Sequence, residues 1–306
     1  MRRQPIERVT VRAPAKINLH LSVGRRRGDG YHDLTTVFHA VGLYDEVDVE
    51  HADSLTVTVT GESAHLVPTD SRNLALRAAA LLGLETNREP AVALTIRKGI
   101  PVAGGCAGGS ADAAAALVAC DTLWGTGMSR EDLAALGARL GSDVPFSLHG
   151  GTALGTGRGE QLTPVLGHGA YSWVLALSDD GLSTPDVYSE LDRQRETGPV
   201  GVVTDSSRVL SALRSGDAVA LGHALTNDLQ PAAIALKPAL RLLLDRGKDL
   251  GALGAVVSGS GPTVAMLARN DDHAVALAAA LAGQGVCRTV RRAEGPVPGA
   301  RVVEIA

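Results

Sequence analysis

The chain lacks any long run of basic residues, and its formal net charge is −4. A nucleic-acid partner is therefore not expected. It has no apolar stretch long enough to span a bilayer, so no membrane partner is expected either. Arg2-Arg3 is not followed by the apolar run of a signal peptide. Cysteine is scarce: Cys106, Cys120 and Cys287 are odd in number and have no metal-ligand spacing. A reducing, cytoplasmic location is the expectation from that usage. The nine histidines form no H-x-x-x-H cluster, which leaves a zinc site without support. No internal repeat is present. What remains is 45% hydrophobic and 20% charged over 306 residues, the composition of a globular enzyme-sized chain that divides into two domains.

Glycine is abundant and concentrated. Pro101-Val102-Ala103-Gly104-Gly105-Cys106-Ala107-Gly108-Gly109-Ser110-Ala111-Asp112 carries four glycines in six residues and runs into alanines. Missing Cβ atoms let a backbone approach a ligand closely. Ser110 and Asp112 read as the cap and first turn of a helix through about Leu123. A glycine loop feeding a helix N-terminus offers free N–H groups and a positive dipole end, which suit a phosphate. A flexible turn is the plain alternative. Neither common phosphate motif is present: no Lys follows Gly109 as a Walker loop requires, and the G-x-G-x-x-G spacing is absent.

Arg8 to Val23 alternates as one long strand in which Pro14 implies an edge or a bend. Lys16 and Asn18 lie on the face opposite Ile17 and Leu19, where a lysine is ordinarily solvated. Tyr31-His32 follows an Asp-Gly turn and is open to two readings, loop packing or a stacking and hydrogen-bonding pair for a base or sugar. Thr35 to Val49 reads as a strand pair with Asp45-Glu46 near its turn. Asn73 ends a capping stretch before a helix from Leu74 to Leu82, and Ser129 to Asp132 is a capping box. Pro145 biases Val144 to an extended conformation, placing Asp143 on a connector where Asp is often a turn former. Gly150 to Glu160 is glycine-rich enough to imply a second close backbone approach. The pattern changes between Leu162 and Gly169, which divides the chain into domains 1–165 and 166–306. The second reads strand, helices (one over Val209 to Leu225), strand, the tight turn Ser258-Gly259-Ser260-Gly261-Pro262, strand, helix, strand. That order fits a ferredoxin-like α+β sandwich.

Three segments together, Pro14-Ala15-Lys16-Ile17-Asn18-Leu19, Pro101 to Ala114 and Ser258 to Thr263, resemble the GHMP kinase superfamily in order and spacing. Gly28-Asp29-Gly30-Tyr31-His32 and Gly141-Ser142-Asp143-Val144-Pro145 look like its branch acting on 4-diphosphocytidyl-2-C-methyl-D-erythritol. The resemblance covers nearly the whole chain. It implies a two-domain α+β fold: an N-terminal domain like domain 2 of ribosomal protein S5, a ferredoxin-like C-terminal domain, and an active site between them. It implies an ATP-dependent small-molecule kinase that phosphorylates the 2-hydroxyl of that substrate on the non-mevalonate route to isoprenoid precursors. Another GHMP kinase, of homoserine or mevalonate type, is the alternative, against which Tyr31-His32 argues because those acceptors carry no base. By position, the resemblance implies Asp143 as the catalytic carboxylate and Lys16 as the catalytic lysine. It implies ATP phosphates wrapped by Pro101 through Ala111, that is Pro101, Val102, Ala103, Gly104, Gly105, Cys106, Ala107, Gly108, Gly109, Ser110 and Ala111. It also implies a cytidine site at Tyr31, His32 and Tyr188, a polyol pocket at Asn18, and a second cleft wall at Gly259, Ser260 and Gly261. Ala103, Ala107 and Ala111 depart from the family, which usually has Gly, Gly and Ser there. Mg²⁺ is the expected companion of ATP, but with no pair of carboxylates to hold it, phosphates and water are the expected ligands. A monomer or weak homodimer is expected.

Overall fold

Strict alternation makes the first strand, and burial of both its faces makes it central. The computed structural model describes residues 6–102, 104–178, 181–197 and 205–306. Ala103 therefore lies outside the described residues, as does most of Gly198 to Asp205, a stretch that reads as loop in the sequence. The first half runs β1 (Arg8–Arg26), β2 (His32–His51), β3 (Thr56–Gly61), α1 (Leu74–Glu85), β4 (Val92–Lys98), α2 (Gly108–Trp124), α3 (Arg130–Leu140), α4 (Val144–His149), β5 (Thr152–Thr156) and β6 (Gln161–Pro164). The second half runs β7 (Tyr171–Leu177), α5 (Thr184–Thr197), α6 (Ser207–Ser215), α7 (Ala218–Ala224), β8 (Thr226–Asn227), α8 (Gln230–Leu236), α9 (Ala239–Asp249), β9 (Gly254–Val257), β10 (Val264–Leu267), α10 (Asp271–Gln284), β11 (Thr289–Gly295) and β12 (Arg301–Ile305).

β1 pairs antiparallel with β2 from Arg8↔Glu50 to Arg26↔His32. Its apolar residues Val9 through Leu19 enter one hydrophobic core, and Leu21 and Val23 enter a second. The strand thus runs from one core into the other. Pro14 sits past the end of the β12 pairing, which stops at Arg12, and at a register shift opposite β2. No ladder donor is needed from it there.

The first sheet runs β12-β1-β2-β4-β3, with β5 and β6 attached to β2 and β8 to β1. Two strands C-terminal to residue 165, β8 and β12, therefore join it. The second sheet, β11-β7-β10-β9, is antiparallel throughout. α2 packs on β1, β2 and α1. Its alanines Ala113 to Ala116 are fully buried, so small side chains let a helix sit with almost no exposed face. No helix among the described residues is long and apolar enough to cross a membrane.

Several local expectations are corrected. The segment Thr35 to Val49 is part of one strand, because Asp45 is fully buried and accepts from the N–H groups of Gly99 and Ile100 rather than turning the chain. Val209 to Leu225 is two helices, broken at Gly216, where φ is +69°. Pro145 does not hold Val144 extended: it lies in the first turn of α4, where its missing N–H costs nothing. α8 and β12 have no counterpart in the sequence reading.

Candidate active site

The glycine loop ends differently from expectation. α2 is entered through Ala107 in the left-handed region, φ 60° and ψ 35°, and begins at Gly108. Ser110 and Asp112 are inside the helix and do not cap it. The first helical bond runs from Ala111 N–H to the Ala107 carbonyl, 2.9 Å, so the N–H groups of Gly108, Gly109 and Ser110 have no intrahelical partner. The loop is tied to both sheets. Lys16 N–H donates to the Cys106 carbonyl and Thr263 N–H to the Gly104 carbonyl, each 3.2 Å. The Ser258 hydroxyl donates to the Gly105 carbonyl, 3.2 Å. At Gly105, φ is +76° and a Cβ would stand 2.3 Å from the Ser258 carbonyl oxygen, so only glycine fits.

Beneath the loop, Lys98 Nζ bonds the Asp45 carboxylate and Asp112 Oδ2, the latter at 2.7 Å. Burial acts to lower the Lys98 pKa, but Asp112 and Asp45 together raise it above the ordinary value. Burial pushes the Asp112 carboxyl well above its ordinary range despite Lys98, and Asp112 Oδ1 has no hydrogen-bond partner.

Asp143 stands at the N-cap of α4, yet its side chain makes no cap hydrogen bond. Its Oδ2 lies 3.5 Å from Lys16 Nζ. Lys16 is buried, donates to Asn18 Oδ1 at 2.8 Å and lies 5.3 Å from the Phe38 ring centroid. Asn18 in turn donates to Thr36 Oγ1, and Thr36 to the His20 carbonyl, each 2.8 Å. A Cβ on Gly259 would come within 3.4 Å of Lys16 Nζ, so the Ser258 turn closes over the amine. Asn227 holds that turn by donating to the Val257 and Gly259 carbonyls, each 2.7 Å.

Lys16, Asn18, Thr36, Lys98, Asp112, Asp143, Gly259 and the loop glycines face one cleft of about 770 Å³. In the same cleft, His32 Nε2 lies 2.9 Å from Asp192 Oδ1, and the His32 and Tyr188 ring centroids are 5.1 Å apart. The Arg158 guanidinium lies 5.1 Å from the Tyr31 ring centroid. Burial first, then the Asp143 charge, raises the Tyr188 hydroxyl pKa, keeping it a neutral donor. Thr184 and Ser260 share a 2.9 Å hydroxyl contact across the cleft.

Of the residues singled out from sequence, Lys16, Asn18, Tyr31, His32, Pro101, Val102, Gly104, Gly105, Ala107, Gly108, Gly109, Ser110, Asp143, Tyr188, Gly259, Ser260 and Gly261 line the cleft. Cys106 and Ala111 do not: both are fully buried in the core, and burial raises the Cys106 thiol pKa. Ala103 is outside the described residues. Sequence reasoning missed Thr36, Lys98, Arg158 and Asp192. Lys98 continues the buried Val92-Leu94-Ile96 alternation, and a charge at such a position is a signal. Asp192 follows Tyr188 by one helical turn, a spacing that puts both on one face. Among the described residues no group of three His, Cys, Asp or Glu is arranged to hold a metal.

Comparison with known proteins shows the family. The family models described as "GHMP kinases N terminal domain" and "GHMP kinases C terminal" match residues 73–151 and 209–287. A Nocardia farcinica protein named 4-diphosphocytidyl-2-C-methyl-D-erythritol kinase is 58% identical, over 97% of this chain and 96% of its own. A Mycobacterium tuberculosis protein of the same name is 56% identical, over 98% and 94%. A crystal structure of 4-(cytidine 5'-diphospho)-2C-methyl-D-erythritol kinase superposes with TM-score 0.75 at 34% identity, covering 93% of this chain and 98% of that one. A homoserine kinase structure from Cytophaga hutchinsonii, at TM-score 0.76 but 19% identity, shares the fold. The chain belongs to the 4-diphosphocytidyl-2-C-methyl-D-erythritol kinase family of the GHMP kinases.

Proposed function

We propose that this protein transfers the γ-phosphoryl group of ATP to the 2-hydroxyl of 4-diphosphocytidyl-2-C-methyl-D-erythritol, giving the 2-phosphate and ADP. The observation that carries the reading is the meeting of Lys16 and Asp143, remote in sequence, at 3.5 Å in a cleft lined by both the glycine loop and an aromatic pair. Asp143 accepts the proton of the attacking hydroxyl. Lys16 supplies positive charge where the alkoxide and the transferred phosphoryl develop theirs. Asn18, fixed by Thr36, keeps the amine oriented. The free N–H groups of Gly108, Gly109 and Ser110 hold phosphate oxygens. His32, Tyr31 and Tyr188 take the cytidine, which the homoserine or mevalonate alternative leaves without a role.

Mg²⁺ is expected with the nucleotide. With no carboxylate cage among the described residues, the site fits an ion held by phosphates and water, with the Ser110 hydroxyl in the first turn of α2 as the protein ligand. When bound, the ion neutralises charge on the β- and γ-phosphates.

An acceptor panel tests the reading. ADP release coupled to a reporter is expected with the cytidylyl substrate and not with homoserine or mevalonate. Turnover of either of those, with none of the cytidylyl compound, would overturn it.

A further inference from the structure

We propose that Asp192 makes this site read cytosine rather than uracil by fixing which nitrogen of His32 carries the proton. The inference rests on the cytidine reading above and deepens it. The His32 side chain is 5% exposed, and its Nε2 lies 2.9 Å from Asp192 Oδ1, a residue 160 positions away on α5. An ionised carboxylate can only accept. In the neutral ring the proton therefore sits on Nε2, and Nδ1 keeps a lone pair. No described residue hydrogen-bonds His32 Nδ1, and the ring lines the cleft beside Tyr31 and Tyr188. α5 carries both Tyr188 and Asp192 one turn apart, so the element that packs against the imidazole also sets its tautomer.

A bare acceptor nitrogen suits the exocyclic 4-amino group of cytosine, a donor. Uracil presents a carbonyl at the same position, and two acceptors would then face each other in a partly desolvated site. Sites built to hydrogen-bond one polar group reject the analogue lacking it more strongly than apolar pockets discriminate by shape. Asp192 touches no substrate atom in this scheme; it is a positioning residue.

A purely structural role for Asp192, anchoring α5 to the start of β2, makes a different prediction. Asp192→Asn preserves shape and a hydrogen bond, because its amide can accept from Nε2–H or donate to bare Nε2. It removes only the bias. The test measures kcat/KM for the cytidylyl substrate and its uridylyl analogue in wild type, Asp192→Asn and Asp192→Glu. It adds ¹⁵N spectra of the His32 ring in the ligand-free proteins, a readout independent of turnover. Wild type is expected to show the proton on Nε2 and to favour cytosine. Asp192→Asn is expected to shift proton population to Nδ1 and to narrow the cytosine-to-uracil ratio at least about tenfold, chiefly through KM. Asp192→Glu is expected to retain both wild-type properties. An Asp192→Asn protein with the wild-type ratio, or wild-type His32 protonated on Nδ1, overturns the inference alone. A wild type that phosphorylates neither compound overturns the functional reading and this inference with it.

Discussion

Asp143 occupies a capping position without capping, and that leaves its carboxylate for Lys16. Asp143→Asn keeps the shape and removes the proton acceptor. Turnover is expected to fall about 10²- to 10⁴-fold, with the KM for ATP little changed, in steady-state assays. A second prediction concerns stability. His39 is fully buried, its Nδ1 lies 2.8 Å from Thr152 Oγ1, and burial lowers its pKa to about 3. The folded ring stays neutral where the unfolded one, with a pKa near 6.5, takes up a proton. The unfolded state thus binds more protons between those two values, and stability is lost as pH falls from about 6.5 toward about 3. The slope from this one group is at most about 1.4 kcal/mol per pH unit. Urea midpoints at pH 7 and pH 5 should differ less in His39→Gln than in wild type. Little of this was visible one residue at a time. A strand lysine and a post-helix aspartate are ordinary surface residues until a distance of 3.5 Å joins them; only the family pattern singled them out. The sequence points to His32 as a base contact but not to its partner Asp192, because their contact spans 160 positions.

Among elements, the loop into α2 was legible as a phosphate cradle, and its register was not. Ser110 has the chemistry of an N-cap, but the chain reaches the helix through Ala107 in the left-handed region, so the helix starts two residues earlier than Ser110. An L-residue in that conformation is strained by roughly 1–2 kcal/mol. Ala107→Gly is therefore expected to raise unfolding free energy by roughly 0.5–1 kcal/mol, after allowing for the added freedom of the unfolded chain, as measured by urea denaturation. Gly105→Ala is expected to do the opposite. Its Cβ would meet a backbone oxygen at 2.3 Å and sit at positive φ, so the loop must move. A loss of roughly 1–3 kcal/mol and a raised KM for ATP should appear together. Asp45-Glu46 has turn chemistry that makes the long β2 read as a pair; the buried Lys98 and two backbone N–H groups satisfy Asp45 instead.

For the whole molecule, one strand and one loop couple the two sheets. β1 supplies side chains to both cores, and the glycine loop is bonded to β1 on one side and to Ser258 and Thr263 on the other. The two-domain kinase fold was legible from order and spacing. The return of β12 to β1 was not, because pairing of Val9 with Ile305 leaves no local trace and β12 is largely exposed. Deleting residues 301–306 should unpair that edge of β1 and uncover part of the core around Val9 and Val11. Stability is expected to drop on the order of 3 kcal/mol, read from thermal or urea unfolding.

Product analysis by ³¹P NMR on an ATP reaction with the cytidylyl substrate interrogates the amine–carboxylate pair and the base-binding end at once. One 2-phosphate monoester should accumulate for each ADP in wild type, and almost none in Asp143→Asn. ADP formed without that monoester, or wild-type product yield and rate from Asp143→Asn, would contradict the assignment.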